Sequence, residues 1–241
     1  MTGAYYRPIV CDDPAVPDGA VRLAGGWTWA THAERLSRAG PPRLVPMEAV
    51  PEPVRTRLTE PRPDIAGLSM AAPRIMGILN VTPDSFSDGG THNAPDAARE
   101  RAMLMATEGA DLLDIGGEST RPGADLVPAE EEIARTRPVI QSLAGHGLPP
   151  ISIDTRKASV AQAALDAGAA LVNDVSALTF DTQMAQTVAR AAAPVCLMHA
   201  QGEPKSMQQA PAYENVLLDV YDALEARIPQ AEQVGLHRTR I

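Results

Sequence analysis

The 241-residue chain reads as an α/β protein whose parallel strands are covered by helices. The pattern is that of a TIM-type (β/α)8 barrel, here with only about the first five β/α units, behind an N-terminal extension. Three observations lead there. From residue 74 onward, short apolar runs alternate with Ala-rich stretches of helical period. The runs are continuously apolar, as in strands buried on both faces. The C-terminal end of each run carries a polar, Gly-rich segment, and that face of a (β/α)8 barrel holds the active site. A doubly wound open sheet is the rival, but its GxGxxG turn after the first strand is absent.

The elements follow in order. Residues 1–73 hold half of the 22 prolines and four of the eight aromatics, Tyr5, Tyr6, Trp27 and Trp29. Their periodicity is weak, with a short strand expected at 20–24 and a helix at 28–38. They form an appended, partly extended region of unassigned role, distinct from the domain at 74–241. In that domain strands are expected at 75–79, 112–115, 151–153, 170–172 and 195–198. Pro95 suits the first turn of a helix from 94 to about 109. Val160, Ala164 and Ala167 recur at helical spacing, and Gly168 stands where a helix C-terminus needs a glycine. Met184, Val188 and Ala191 repeat the spacing, with Asp181 as a candidate N-cap. Five units fill residues 74 to about 230, whereas eight need about 250 residues. Residues 235–241 read as the approach to a sixth strand.

Composition narrows the function. The net charge is -9 and no basic run occurs, which argues against a nucleic-acid or anionic-membrane surface. No apolar run approaches the ~20 residues that span a bilayer, and no signal peptide is apparent. Cys11 and Cys196 lack metal-ligand spacing, so a reduced, cytoplasmic setting is expected. Cys196, in the run Pro194-Val195-Cys196-Leu197-Met198, reads as a small buried hydrophobe.

Chemistry concentrates at the strand ends. The loop at 80–90 begins with Asn80, carries Phe86 and is longer than a typical βα connection, so a lid over a flat ring competes with a solvated turn. In 116–123, glycines, Ser119, Thr120, Arg121 and Pro122 could gather backbone, hydroxyl and guanidinium donors on a phosphate, or form only a turn. Asp154 ends the third run. It can accept two hydrogen bonds from an amino-pyrimidine edge, or cap a helix. Asn173 can donate and accept at once. Asp174 is as readily a loop-stabilising residue as a ligand. Met198-His199 ends the fifth run, where a lone histidine is more often structural.

Taken together, residues 80–90 after Met76-Gly77-Ile78-Leu79, residues 116–123, Asp154-Thr155, Asn173-Asp174 and Met198-His199 resemble the motifs of dihydropteroate synthases in order and spacing. The resemblance covers residues 74–241. It implies a (β/α)8 barrel that uses Mg²⁺ to displace pyrophosphate from 6-hydroxymethyl-7,8-dihydropterin pyrophosphate with p-aminobenzoate, giving 7,8-dihydropteroate in folate biosynthesis. It implies that Asn80 ligates Mg²⁺ and that Thr120 and Arg121 hold pyrophosphate. Ser119, Pro122 and Phe86 would shape the p-aminobenzoate pocket, Asp154 and Asn173 would bind pterin, and Met198 would contact substrate. Asp154 and Arg121 are the expected catalytic pair. Ala200 departs from the family, where methionine is usual. The family's last three units supply a second pterin-binding aspartate, a lysine, an Arg-x-His pair and most of a homodimer contact. The expectation is therefore that this chain is truncated and inactive alone. A methyltetrahydrofolate-type methyltransferase or a non-catalytic pterin-binding protein is the alternative. The methyltransferase would need neither the 80–90 loop nor Thr120-Arg121, because it expels no pyrophosphate.

Overall fold

A computed structural model describes residues 3–82, 94–119, 125–202 and 211–241. The chain divides into two compact units. One comprises Met1–Asp64 with Ser69–Pro73, and the other Ile65–Leu68 with Arg74–Ile241.

The first unit is mainly antiparallel β. Strand β1 (Tyr5–Pro8) pairs with β4 (His32–Ser37), which pairs with β5 (Gly40–Pro46). A two-stranded sheet joins β2 (Val21–Arg22) to β3 (Trp29–Ala30), and helix α1 spans Glu52–Thr59. Leu23, Ala30, Ala33, Met47 and Val50 form its core. The helix expected at 28–38 is thus two strands. Ala33 and Leu36 turn inward there, while Tyr5 pairs with Leu36 and Val45 with Ala33. Pairing on both sides supplies backbone partners and apolar neighbours that outweigh the helical propensity of Ala-Glu-Arg-Leu.

The second unit is a parallel sheet with helices. Its strands are β6 (Met76–Asn80), β7 (Leu112–Gly116), β8 (Ile151–Asp154), β9 (Leu171–Asp174) and β10 (Val195–Leu197). Each lies beside the next in the chain, so the order runs β6-β7-β8-β9-β10 without reversal. A doubly wound sheet reverses at its first strand, so the consecutive order fits a segment of a (β/α)8 barrel and removes the rival. Four of the strands run one or two residues further than their apolar runs, into Asn80, Gly116, Asp154 and Asp174. Polar side chains are accommodated there because those ends open toward the loops.

Helices α2 (Ala94–Thr107), α3 (Ala129–Leu143), α4 (Ala158–Ala167) and α5 (Met184–Arg190) connect the strands. Then α6 (Val216–Glu225) and α7 (Arg227–Gln233) follow β10. They cover one face of the sheet. Leu79, Leu113, Ile115, Ile151, Ile153, Val172 and Val195 pack there with Ala98, Ala102, Ile140, Leu143, Val160, Ala164, Met184 and Val188. Gly168 ends α4 at φ 113°, a left-handed conformation that glycine adopts without strain. Asp181 does not cap α5, whose side-chain cap is absent. Its Oδ2 instead accepts from Ala158 N at 2.8 Å, at the start of α4, while Oδ1 accepts from Gln183 N at 2.9 Å. After α7 the chain forms a 3-10 turn at Arg238–Arg240. Among the described residues no helix is long and apolar enough to cross a membrane.

Candidate active site

Alternation along a strand sends neighbouring side chains to opposite faces. In β7 and β8, Leu113, Ile115, Ile151 and Ile153 face the helices, so Asp114, Gly116, Ser152 and Asp154 face the other way. Register then fixes who stands beside whom. Asn80 is level with Gly116, Gly116 with Asp154, Asp154 with Asn173, and Asn173 with Cys196. These five residues make one row across the C-terminal ends of the sheet, about 4.8 Å apart. Asn80, Asp154 and Asn173, singled out from widely spaced motifs, therefore share one face and one height.

Glycine joins the row. A side chain at Gly116 would start 3.3 Å from Asn80 Oδ1, 3.6 Å from Asp154 Cβ and 3.7 Å from Asp154 Oδ2. Its absence leaves Asn80 and Asp154 open to a common ligand.

One level deeper lies Asp114, paired across the sheet with Ile78 and Ser152 and only 4% exposed. Its Oδ2 accepts from Asn173 Nδ2 at 3.0 Å. Asn173 is thereby oriented by a second carboxylate that sequence reasoning missed. The available signal was a lone charge inside the apolar strand Leu112-Leu113-Asp114-Ile115, a position that charged residues rarely occupy without a partner.

Both carboxyls are perturbed. Burial raises Asp114 above its ordinary value, opposed by the Asn173 amide that it accepts from. Asp154 is pushed up to about 7, first by burial and then by the charges of Asp114, Glu132, Asp174 and Glu118. Among the described residues, Asp114 Oδ1 and Asp154 Oδ1 are buried with no hydrogen-bond partner. Unpaired buried acceptors are costly, and two on one face suit a ligand rich in N–H donors. Asp154 is not the cap of α4, because Asp181 accepts from the helix's first N–H.

The other candidates separate. Asp174 is fully buried and accepts from Ser176 N (2.8 Å), Ser176 Oγ (2.6 Å) and Leu178 N (2.7 Å), so it stabilises its loop. His199 Nε2 lies 3.2 Å from the Tyr213 hydroxyl. Met198 follows β10 with its side chain exposed, and its N–H reaches Asp174 O at 3.2 Å. Cys196 is exposed rather than buried. Val195 takes the helix-facing position, and the pleat turns Cys196 to the face of Asn173. Ser119 is half-buried behind Glu118. Phe86, Thr120, Arg121 and Pro122 lie outside the described residues.

The model of the pterin binding enzyme family matches residues 76–241. The chain belongs to the pterin-binding enzyme family. Several of its relatives are dihydropteroate synthases. Dihydropteroate synthase of Escherichia coli K12 is 44% identical over 174 residues, covering 72% of this chain and 61% of that enzyme. The Synechocystis enzyme is 45% identical over 162 residues, covering 67% of this chain and 56% of its own. Among solved structures, Xanthomonas albilineans dihydropteroate synthase with 4-aminobenzoic acid superposes with TM-score 0.67 at 49% identity, covering 75% of this chain and 64% of that one. The same enzyme with 7,8-dihydropteroate gives TM-score 0.63 at 46% identity, covering 73% and 62%. The chain thus spans about six-tenths of the length of the relatives it matches. Membership in the pterin-binding family accords with the open row of acids and amides at the strand ends.

Proposed function

We propose that the strand-end row binds the amino-pyrimidine edge of a pterin, and that the chain serves the dihydropteroate synthase reaction. The observation that carries this reading is the pair of buried, unpartnered carboxylate oxygens on Asp114 and Asp154 beside the Asn173 amide. A pterin presents adjacent N–H donors on a flat ring, which is the complement of that set. The solved relatives holding 4-aminobenzoic acid and 7,8-dihydropteroate support the choice of substrates.

In the reaction the amine of p-aminobenzoate attacks the exocyclic CH2 of the pterin. A C–N bond forms, the C–O bond breaks with its electron pair leaving on pyrophosphate, and the amine loses one proton. Positive charge develops on the pterin as the leaving group departs. Ionised Asp154, with Asp114 behind it, stabilises that charge from the ring's donor edge. Thr120 and Arg121 would hold the departing anion, and Ser119, Pro122, Phe86 and Met198 would flank p-aminobenzoate.

Asn80 fits the part of a Mg²⁺ ligand. Its side-chain oxygen lies at an exposed strand end, and the missing side chain at Gly116 leaves space beside it. Among the described residues no cluster of three His, Cys, Asp or Glu could hold a metal. A single protein oxygen suits Mg²⁺, which keeps waters and takes substrate phosphates as ligands. When bound, the ion neutralises charge on the leaving pyrophosphate.

The test has two parts. Calorimetry should show 6-hydroxymethylpterin binding that is lost in Asp154→Asn, and chromatography should detect dihydropteroate from the pyrophosphate ester and p-aminobenzoate once the remaining segment of a relative is fused after Ile241. Equal pterin binding by wild type and variant would overturn the ring assignment. Binding without product would reduce the reading to a pterin-binding protein.

A further inference from the structure

Cys196 is the member of the strand-end row to which the proposed reaction gives no task. The pleat sets its position. Val195 and Leu197 pack toward the helix-facing core, so Cys196 between them turns to the other face, level with Asn173. The thiol is free and exposed there. The chain's other cysteine, Cys11, is half-buried in the first unit, bridged to Trp29.

The charge beside it sets this thiol apart. Asn173 Nδ2 donates to Asp114 Oδ2 at 3.0 Å, so the amide next to Cys196 leads directly to a carboxylate. Asp114 is 4% exposed, and its Oδ1 has no hydrogen-bond partner among the described residues. Asp154, level with Asn173 on the adjoining strand, has an Oδ1 that is open in the same way. Buried acceptors left open toward a pocket suit donors brought by a ligand. The thiol responds to this field: it is pushed up first by partial burial and then by the Asp114 charge. A protonated thiol is a poor nucleophile, and an anionic reagent is also repelled by the acids. A reagent bearing an ammonium group offsets both effects. Its charge is drawn to the carboxylates and stabilises the thiolate, and its N–H donors match the open oxygens.

We infer that Cys196 is a modification site for small cationic disulfides of the aminothiol class, open when the ring pocket is empty and closed by a bound pterin. The closure rests on the pterin reading above, whereas the charge preference does not. In the exchange the Cys196 thiolate attacks one sulfur of the disulfide. A new S–S bond forms, and the old one breaks with its electron pair on the departing half. That thiolate takes up the proton that Cys196 released, and the disulfide itself is the oxidant. The aminoethyl group left on Cys196 then occupies the face of Asn173 that the ring would use.

The experiment uses the full chain, reduced and then freed of reductant, with cystamine as the cationic disulfide and 3,3′-dithiodipropionate as the anionic one. Peptide mass spectrometry follows Cys196 and Cys11 separately. Cystamine should modify Cys196 at least about tenfold faster than the dianion does, the lower end of electrostatic steering. Asp114→Asn should shrink that preference severalfold at Cys196 and leave Cys11 unchanged. Asp154→Asn should act in the same direction and serves where Asp114→Asn fails to fold. Saturating 6-hydroxymethylpterin should slow cystamine severalfold at Cys196 and not at Cys11. Calorimetry should show pterin binding lost after cystamine treatment and restored by dithiothreitol, and the affinity of Cys196→Ser should be indifferent to cystamine. Equal rates for the two disulfides at Cys196, or a preference unchanged in the carboxylate variants that fold, would overturn the inference. Labelling that saturating pterin does not slow would overturn it while leaving the pterin reading intact. Wild type that binds no pterin would overturn the pterin reading and the closure together, and the charge preference would still be decided by its own measurement.

Discussion

Asp154→Asn should raise stability while abolishing tight pterin binding. In the folded chain the Asp154 carboxyl is pushed up to about 7 from 3.8. That shift is roughly three units, and at 1.36 kcal/mol per unit the ionised group opposes folding by about 4 kcal/mol above pH 7. Partial solvent access screens the charge, so about 2 kcal/mol is the working expectation. The sign follows from linkage. A carboxyl raised on folding binds its proton more tightly in the native state. Its stabilising effect is complete below about pH 4, is lost as pH rises toward 7, and is gone above that. Asparagine carries no charge, so the variant and wild type should converge near pH 4, diverge up to about pH 7 and keep a nearly constant gap to pH 8. At pH 8 the variant should melt higher by roughly 4–8 °C for a chain of this size. Asparagine also replaces one acceptor with a donor facing the ring's donors. Pterin affinity should fall by about 1.5–3 kcal/mol, the worth of a hydrogen bond to a charged group. Melts from pH 5 to 8 and titration calorimetry give both numbers. A variant less stable than wild type at pH 8, or a gap that does not widen with pH, would show that the carboxylate holds the fold together.

Wild-type pterin affinity should rise with pH up to about 7 and then level, because the ring's donors require ionised Asp154; calorimetry from pH 5.5 to 8.5 measures it, and a flat profile removes Asp154 from the contact. Arg121→Ala should weaken pyrophosphate binding by about 1.5–3 kcal/mol, and unchanged affinity by calorimetry would dismiss the assignment. Gly117→Ala should destabilise by about 1–3 kcal/mol, because the new Cβ would start 2.7 Å from Thr136 Cγ2 and 3.2 Å from Glu132 O; denaturant midpoints test this, and a neutral result would mean that α3 gives way.

The sequence by itself determined the strand-helix alternation of residues 74–241 and the strand-end positions of Asn80, Asp154 and Asn173. Both follow from local information: apolar period marks the elements, and a polar residue ending an apolar run must lie where the sheet meets its loops. Tertiary structure decided the rest, because those outcomes depend on partners remote in the chain. Residues 28–38 became strands because β3 pairs with β2, and β4 pairs with β1 and β5. Asp181 came to cap α4, 23 residues before it. Cys196 took the site face because Val195 took the core. Asp114 acquired its role from Asn173, 59 residues away. The charges of Glu118, Glu132, Arg156 and Lys157 look like ordinary surface residues when read in order. They become a neutral buried cluster only when the ends of β7 and β8 are brought side by side, since the low dielectric that makes a single buried charge costly also makes balanced pairing decisive.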